Sequence, residues 1–147
     1  AKAQELEKKY LYLYAEFENF RRRNEKERLD YLKFGHERFL RELLQVQDNF
    51  DRAVVHAKSF ETEKGSPLAQ ITQGIEKIKH KPGECLKAQG VEEVKRVGAN
   101  SDPNFHEALS EEVSESAEPG TVLKEHLKGY QLHGRLLRAA RVITAKK

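Results

Sequence analysis

The chain has no methionine and no tryptophan, a single cysteine, four prolines, and no apolar run approaching the length of a membrane span. Each absence excludes something. One cysteine, Cys85, cannot close an internal disulfide, and nothing else resembles a secreted scaffold, so a reducing compartment is favoured. Without about 18 to 20 consecutive apolar residues no helix is expected to cross a bilayer, and no signal-peptide pattern opens the chain. Methionine is missing even at position 1, as expected of a trimmed or mature form whose true N-terminus is missing. There is no Gly-rich phosphate loop and no Ser/His/Asp arrangement. Cys85 and His80 fit no usual zinc spacing, and Cys85 is read as a small buried hydrophobe. No catalytic, cofactor or metal site is therefore expected. If this protein affects a nucleotide, it does so in another protein's pocket.

What the chain does have is charge. Charged residues make up 35% of its 147 residues and hydrophobic ones only 37%, with a mean hydropathy of −0.81. That leaves little for one compact core and favours an elongated shape. The net charge of +3 is slight, because 27 basic residues face 24 acidic ones, and it is no nucleic-acid signature. Its distribution says more. Residues 101–120 carry six acidic and no basic side chains, whereas 121–147 carry seven basic and one acidic. The C-terminal end should show a charged face to a partner.

From residue 2 to 63 there is no proline and one glycine, Gly35, among mostly good helix formers, which predicts one very long helix. Leu6, Tyr10, Leu13, Phe17 and Phe20 recur at steps of four and three, as a coiled-coil seam does. A second seam, out of phase with the first, runs through Leu29, Leu32, His36, Phe39, Leu43, Val46, Phe50, Ala53, Ala57 and Phe60. The switch between Phe20 and Leu29 should locally unwind the supercoil. At about 1.5 Å per residue such a helix would extend roughly 90 Å, more than the rest of the chain can cover. A homodimer is the economical way to bury its stripe.

Gly65-Ser66-Pro67 stops this helix and starts another, with Ser66 as N-cap and Pro67 in the first turn. Leu68, Ile71, Ile75 and Ile78 give the second helix an apolar stripe. Two such hairpins, one per subunit, would make a four-helix bundle. Lys81-Pro82-Gly83 falls where the stripe should continue and predicts a kink or break, with Gly90 ending the helix. Beyond it, Val91, Val94 and Val97 open a β-rich region in which Glu118-Pro119-Gly120 makes a turn. Asp102 before Pro103 reads as the N-cap of a short helical turn, a simpler account than an acid/base pair with His106. Tyr130, Leu132, Leu136, Ala140 and Val142 share one parity with Gly134 between them, which predicts a half-buried strand with a bulge or close backbone approach. The fold class is α+β: a long paired helix over 1–39, a helical hairpin over 40–90 contributing to a dimeric bundle, and a small β-rich domain over 91–147.

Three phrases carry a resemblance. Asp102-Pro103-Asn104-Phe105-His106-Glu107-Ala108-Leu109, the run from Gly129-Tyr130-Gln131-Leu132-His133-Gly134-Arg135 to Arg141-Val142-Ile143, and Ala15-Glu16-Phe17-Glu18-Asn19-Phe20-Arg21-Arg22-Arg23 resemble, in order and spacing, the GrpE family of nucleotide exchange factors for DnaK-type chaperones. The resemblance implies a homodimeric co-chaperone of protein folding and the heat and stress response, binding the chaperone's ATPase domain through one β-domain and opening its nucleotide cleft so that ADP leaves. A bacterial cytoplasm suits the reduced thiol of Cys85, with the mitochondrial matrix as the alternative.

Partner-contact positions follow singly from the same resemblance. Arg21 and Arg22 lie where the long helix approaches the chaperone; by themselves they read as a solvated face with pairs such as Arg21–Glu25 and Arg23–Glu27. Gly74 matches a second-helix glycine near the ATPase domain, and by itself is a tolerated helix glycine. Arg135 matches a β-domain position facing that domain, and alone would be an ordinary exposed strand arginine. Ser101, His126 and Thr144 align with further contacts, Ser101 and Thr144 being less apolar than the family pattern. Composition and seam alone would favour a coiled-coil scaffold or tether that carries a small sheet domain. A nucleic-acid contact is disfavoured, because acidic residues interleave with the arginines and no stacking platform accompanies them.

Overall fold

The computed structural model describes residues 1–60, 65–94, 98 and 100–146, and the chain divides into two compact units, Ala1–His36 and Glu37–Lys147. The first unit is helix α1, Lys2–Phe34. Glu5 in its first turn and Lys33 in its last complement the helix dipole. None of its residues is buried, and Leu6, Tyr10, Leu13, Phe17 and Phe20 are each more than half exposed. The stripe that should face a partner is therefore not buried by its own unit. The helical run predicted over 2–63 comes in two parts, separated by a turn at Gly35-His36. The interruption falls at the run's one glycine, which keeps right-handed dihedrals (φ −60°, ψ −22°) and bonds its N–H to the Tyr31 carbonyl at 2.7 Å. Predicted helical positions 61–63 lie outside the described residues.

The second unit begins with an antiparallel helical hairpin, α2 (Glu37–Ser59) and α3 (Pro67–Ala88). Ser66 caps α3 as expected: its hydroxyl accepts the Ala69 N–H at 3.2 Å, and Pro67 occupies the first turn, where its missing N–H costs nothing. Inside the chain, α2 buries Leu40, Leu44, Gln47 and Val54, and α3 buries Ala69, Thr72 and Leu86. Lys79–Asp51 and Lys58–Glu76 bridge the two helices, each at 2.5 Å. These inward stripes are not the predicted seams. Phe39, Val46, Phe60, Ile71 and Ile78 lie on the adjacent faces and are 45–65% exposed. The hairpin thus has two apolar faces, one closed on itself and one open.

Of the kink or break expected at Pro82, the break does not occur. The helix runs through it to Ala88. Proline removes one hydrogen bond and typically costs about 3 kcal/mol, but burial of Leu86 beyond it, and of Thr72 and Ala69 before it, holds both flanks in register. Cys85 is likewise corrected: it is exposed, not buried, because the inward position of this turn belongs to Leu86. Gly90 ends the helix at φ +84°, the left-handed conformation that favours glycine at a C-terminus.

Two three-stranded sheets follow, ordered β1 (Val91–Glu93), β4 (Tyr130–Leu132), β5 (Arg135–Arg138) and β2 (His106–Val113), β6 (Ala140–Lys146), β3 (Val122–Leu127). β2 runs parallel to β6, and β3 antiparallel to it. Val122, Ala140 and Val142 form a fully buried cluster, and Leu132 and Leu137 are buried in the other sheet. Val91 and Val94 are buried too, while Val97 lies outside the described residues. Glu118-Pro119-Gly120 turns as predicted, with the Thr121 N–H on the Glu118 carbonyl at 3.1 Å and Gly120 at φ +87°.

The predicted single strand from Tyr130 is instead a β-hairpin. His133 (φ +47°) and Gly134 (φ +82°) form its two-residue turn, the mirror-image type whose twist suits paired strands. A bulge exists, but at Leu137: Tyr130 pairs with Arg138 and Gln131 with Leu136. That extra residue makes Leu137, rather than Leu136, the buried leucine.

Candidate functional site

The residues picked out for partner contact fall on both units. Arg21 and Arg22 are exposed on α1. Arg21 pairs one turn back with Glu18 at 3.7 Å rather than forward with Glu25, and the Arg23 guanidinium lies 6.0 Å from the centre of the Phe20 ring. Gly74 is exposed on α3, and a Cβ built there would meet no heavy atom within 4 Å. It is open to close approach, and nothing in the chain requires it to be glycine.

His126 and Thr144 share one sheet, and Ser101 lies in the segment before β2. The Ser101 N–H bonds to the Gly120 carbonyl at 2.9 Å, at the entrance to β3. His126 is exposed on β3, and Thr144 pairs with Val122 of β3 and Glu111 of β2. Thr144 is only 5% exposed. Its side chain completes the sheet interior and leaves little for a partner to touch. Just after Ser101, Asp102 takes the capping role read from sequence. Its Oδ1 accepts the Asn104 N–H at 2.9 Å, and its carbonyl accepts those of Phe105 and His106 at 3.0 and 2.7 Å. The turn passes directly into β2. His106 meets Asp102 through the backbone, with its Nδ1 accepting the Asp102 N–H at 2.9 Å.

Arg135 opens β5 on the other sheet, beside the hairpin turn, with its side chain about half exposed. It is more than an ordinary strand arginine, because its Nη1 lies 3.6 Å from Glu37 Oε2 at the start of α2. Glu37 Oε1 in turn holds Arg41 Nη2 at 2.5 Å, and Arg41 Nε donates to the Leu137 carbonyl at 3.0 Å. Further along, Arg138 grips Asp48 of α2 with two bonds of 2.6 and 3.0 Å, and its Nε and Nη2 donate to the Lys128 carbonyl at 3.0 and 2.8 Å. Sequence reading missed Glu37, Arg41, Asp48 and Arg138 as a set. The available signal was local: Glu37, Arg41 and Asp48 fall on one helix face with buried Leu44. Their partners in β5, however, lie some ninety positions away.

Tyr130 sits beneath this grip, its ring centre 5.6 Å from the Arg138 guanidinium carbon. Burial pushes its phenol up from 10.0 to about 12, helped by the carboxylates of Glu93, Asp51 and Asp48 and opposed by Arg138. The folded value lies above the unfolded one. The stabilisation is therefore complete below about pH 10 and is lost as pH rises toward 12. Absorbance titration of the protein against its Tyr130→Phe variant should isolate a phenolate appearing near pH 12. An ionisation below pH 11 would place Tyr130 in water instead.

Among the described residues no group of three or more His, Cys, Asp or Glu side chains could hold a metal ion, and no helix is long and apolar enough to cross a membrane. In the first unit the basic segment of α1 is exposed; in the second, Gly74 of α3 faces open space and the double sheet is tied to α2 by arginines.

Known proteins supply the remaining comparison. The family described as GrpE matches residues 1–146. Among curated relatives named Protein GrpE, that of Bdellovibrio bacteriovorus is 40% identical over 148 residues, covering 99% of this chain and 81% of the relative. That of Geobacillus kaustophilus is 41% identical over 142 residues, covering 97% and 64%, and that of Carboxydothermus hydrogenoformans is 37% identical over 138 residues, covering 94% and 68%. The chain thus spans about two thirds to four fifths of these relatives' length. With the family pattern matched from the first residue of α1 to the last described residue of β6, this chain belongs to the GrpE family.

Proposed function

We propose that this GrpE-family chain acts as a homodimeric nucleotide exchange co-chaperone, which binds the ATPase domain of a DnaK-type chaperone and speeds ADP release. The observation that carries the dimer is the uncovered apolar side chains: Leu6 to Phe20 along α1 in one unit, and Phe39, Val46, Phe60, Ile71 and Ile78 in the other, are exposed while a different stripe closes the hairpin. A second copy offering the same seam would bury it symmetrically. Arg21, Arg22, Gly74, Ser101, His126 and Arg135 are the contact positions. Thr144 supports them through its strand. A reducing bacterial cytoplasm suits the single exposed thiol of Cys85.

The mechanism is a shift of population. A factor that binds the cleft-open ATPase domain better than the closed one stabilises the open state by that difference, and ADP affinity falls by the same factor. Linkage makes the effect mutual, so ADP must weaken the factor's own binding. Arg135 supplies a cation at the hairpin turn, where a β-domain would press on its partner.

Stopped-flow release of a labelled ADP analogue from a DnaK-type ATPase domain tests this. The wild-type protein should accelerate release. Arg135→Ala should lower the acceleration at limiting protein about tenfold, since losing one charged hydrogen-bonding contact costs roughly 1.5 kcal/mol or more. Release unaffected by saturating wild-type protein would leave a coiled-coil scaffold as the reading.

A further inference from the structure

We infer that Arg138 and Asp48 form a clamp that sets the angle of the β-domain on the helical hairpin, making Arg138 a positioning residue for exchange. This rests on the exchange reading above and adds to it the part that makes the β-domain a stiff arm. An arm that opens another protein's cleft must transmit force, and a domain free to swivel would yield instead. The bridges between α2 and β5 are therefore decisive.

Among the described residues, polar bridges across that junction join Arg138 to Asp48, Arg41 to the Leu137 carbonyl, and Arg135 to Glu37. They differ in how tightly each holds. Arg135–Glu37 is a single approach of 3.6 Å with the arginine side chain 54% exposed, which suits a contact residue that can exchange partners. Arg138–Asp48 is two-pronged and shielded, at 20% and 16% side-chain exposure. A guanidinium held by both prongs has its plane fixed, which a single point charge does not achieve. Arg138 is fixed from behind as well, by two bonds to the Lys128 carbonyl and by the Tyr130 ring.

This geometry joins three pieces of chain at one point: α2 through Asp48, β5 through Arg138, and the residue before Gly129 through its carbonyl. Arg135 is three residues upstream of Arg138 in the same four-residue strand. Fixing Arg138 therefore aims Arg135 and the hairpin turn. Leu44, between Arg41 and Asp48 on the same α2 face, is 0% exposed, so the junction has a buried apolar contact beside the shielded Arg138–Asp48 pair.

Arg138→Lys keeps the charge and loses the fork; Asp48→Asn keeps the shape and loses the charge. The test has two parts on the full-length protein. Residual dipolar couplings, fitted separately to the α2–α3 hairpin and to the two sheets, should give one common alignment for the wild type and two distinct ones for Arg138→Lys. ADP-release kinetics should then show a maximal acceleration lowered about tenfold for Arg138→Lys and about threefold for Asp48→Asn, with the half-saturating concentration changed less than twofold. A bridge that merely stabilised the fold would lower the melting temperature and leave the maximum where it was. A common alignment retained in both variants overturns the clamp, as does a separate alignment with an unchanged maximum. If the wild type fails to accelerate release while keeping one alignment, the exchange reading falls, and with it the role of Arg138 in exchange. Asp48→Asn, the milder change, carries the test if Arg138→Lys does not fold.

Discussion

Gly129→Ala should destabilise the β-domain by about 3 kcal/mol, the upper end of what overpacking usually costs. A Cβ at this position would stand 2.4 Å from the Ala140 backbone nitrogen and 2.9 Å from its Cα and Cβ. Backbone, not a pliable side chain, is in the way. Neither side can yield cheaply. The Gly129 carbonyl accepts the Val94 N–H at 2.9 Å, and the Ala140 N–H donates to the Phe105 carbonyl at 2.9 Å just where β2 joins β6. Pushing β6 away would also open the cluster of Val122, Ala140 and Val142. At roughly 4–8 °C per kcal/mol for a domain of this size, the melting temperature should fall by about 15 °C. Thermal unfolding followed by amide signals of the sheet residues would measure it. Gly74→Ala provides the contrast, because its Cβ enters open space. That change should leave the fold intact or stabilise α3 by up to about 1 kcal/mol. A β-domain melting point unmoved by Gly129→Ala would show that the approach to Ala140 is looser than drawn.

Features decided by neighbouring residues were legible from sequence. Ser66-Pro67 starts a helix because a hydroxyl and an amide three positions on can meet whatever surrounds them. Glu118-Pro119-Gly120 turns because proline and glycine fit its two central positions. Less legible was anything settled by distant residues. The parity of Tyr130, Leu132 and Leu136 could not reveal a turn at His133, since histidine at positive φ is uncommon and Asn-Gly is the usual signal for that turn. The bulge at Leu137 then reversed the parity that the pattern relied on. Pro82 was overestimated for a related reason, as a local penalty is outweighed where both flanks are packed.

The candidate site divides the same way. A motif singles out Arg135, but its tie to Glu37 and the adjoining Arg138–Asp48 grip needed the fold, because nothing in a strand of four residues names its partner on a distant helix. The seams show the opposite case. Periodicity identified apolar positions on α2 and α3 correctly as stripes, yet the chain buries the neighbouring stripe. A single sequence contains both the intrachain and the open face, and period alone does not say which closes first.

That open face makes the second large effect testable. Phe39→Glu with Val46→Glu should abolish the proposed dimer while leaving each chain's hairpin and sheets folded. Both residues are exposed in the chain, at 65% and 45%, and neither belongs to the buried stripe of Leu40, Leu44, Gln47 and Val54 that closes the hairpin. In a twofold-symmetric pair each change occurs twice. Four carboxylates would then have to enter an apolar seam in place of four side chains, each worth about 1.5–3 kcal/mol when buried. Even the lower figure sums to about 6 kcal/mol, on the order of a 10⁴-fold weaker association, before counting the cost of burying the charges. Sedimentation equilibrium should report the 17.0 kDa chain mass where the wild type reports twice that value. Helix content should fall as well, because α1 buries nothing of its own and most helical stability in proteins comes from packing an apolar face. The sheets, whose core lies wholly within one chain, should persist. A variant that sediments as a pair with undiminished affinity would mean that Phe39 and Val46 face water in the assembled protein, and the seam would have to be sought on another face of the hairpin.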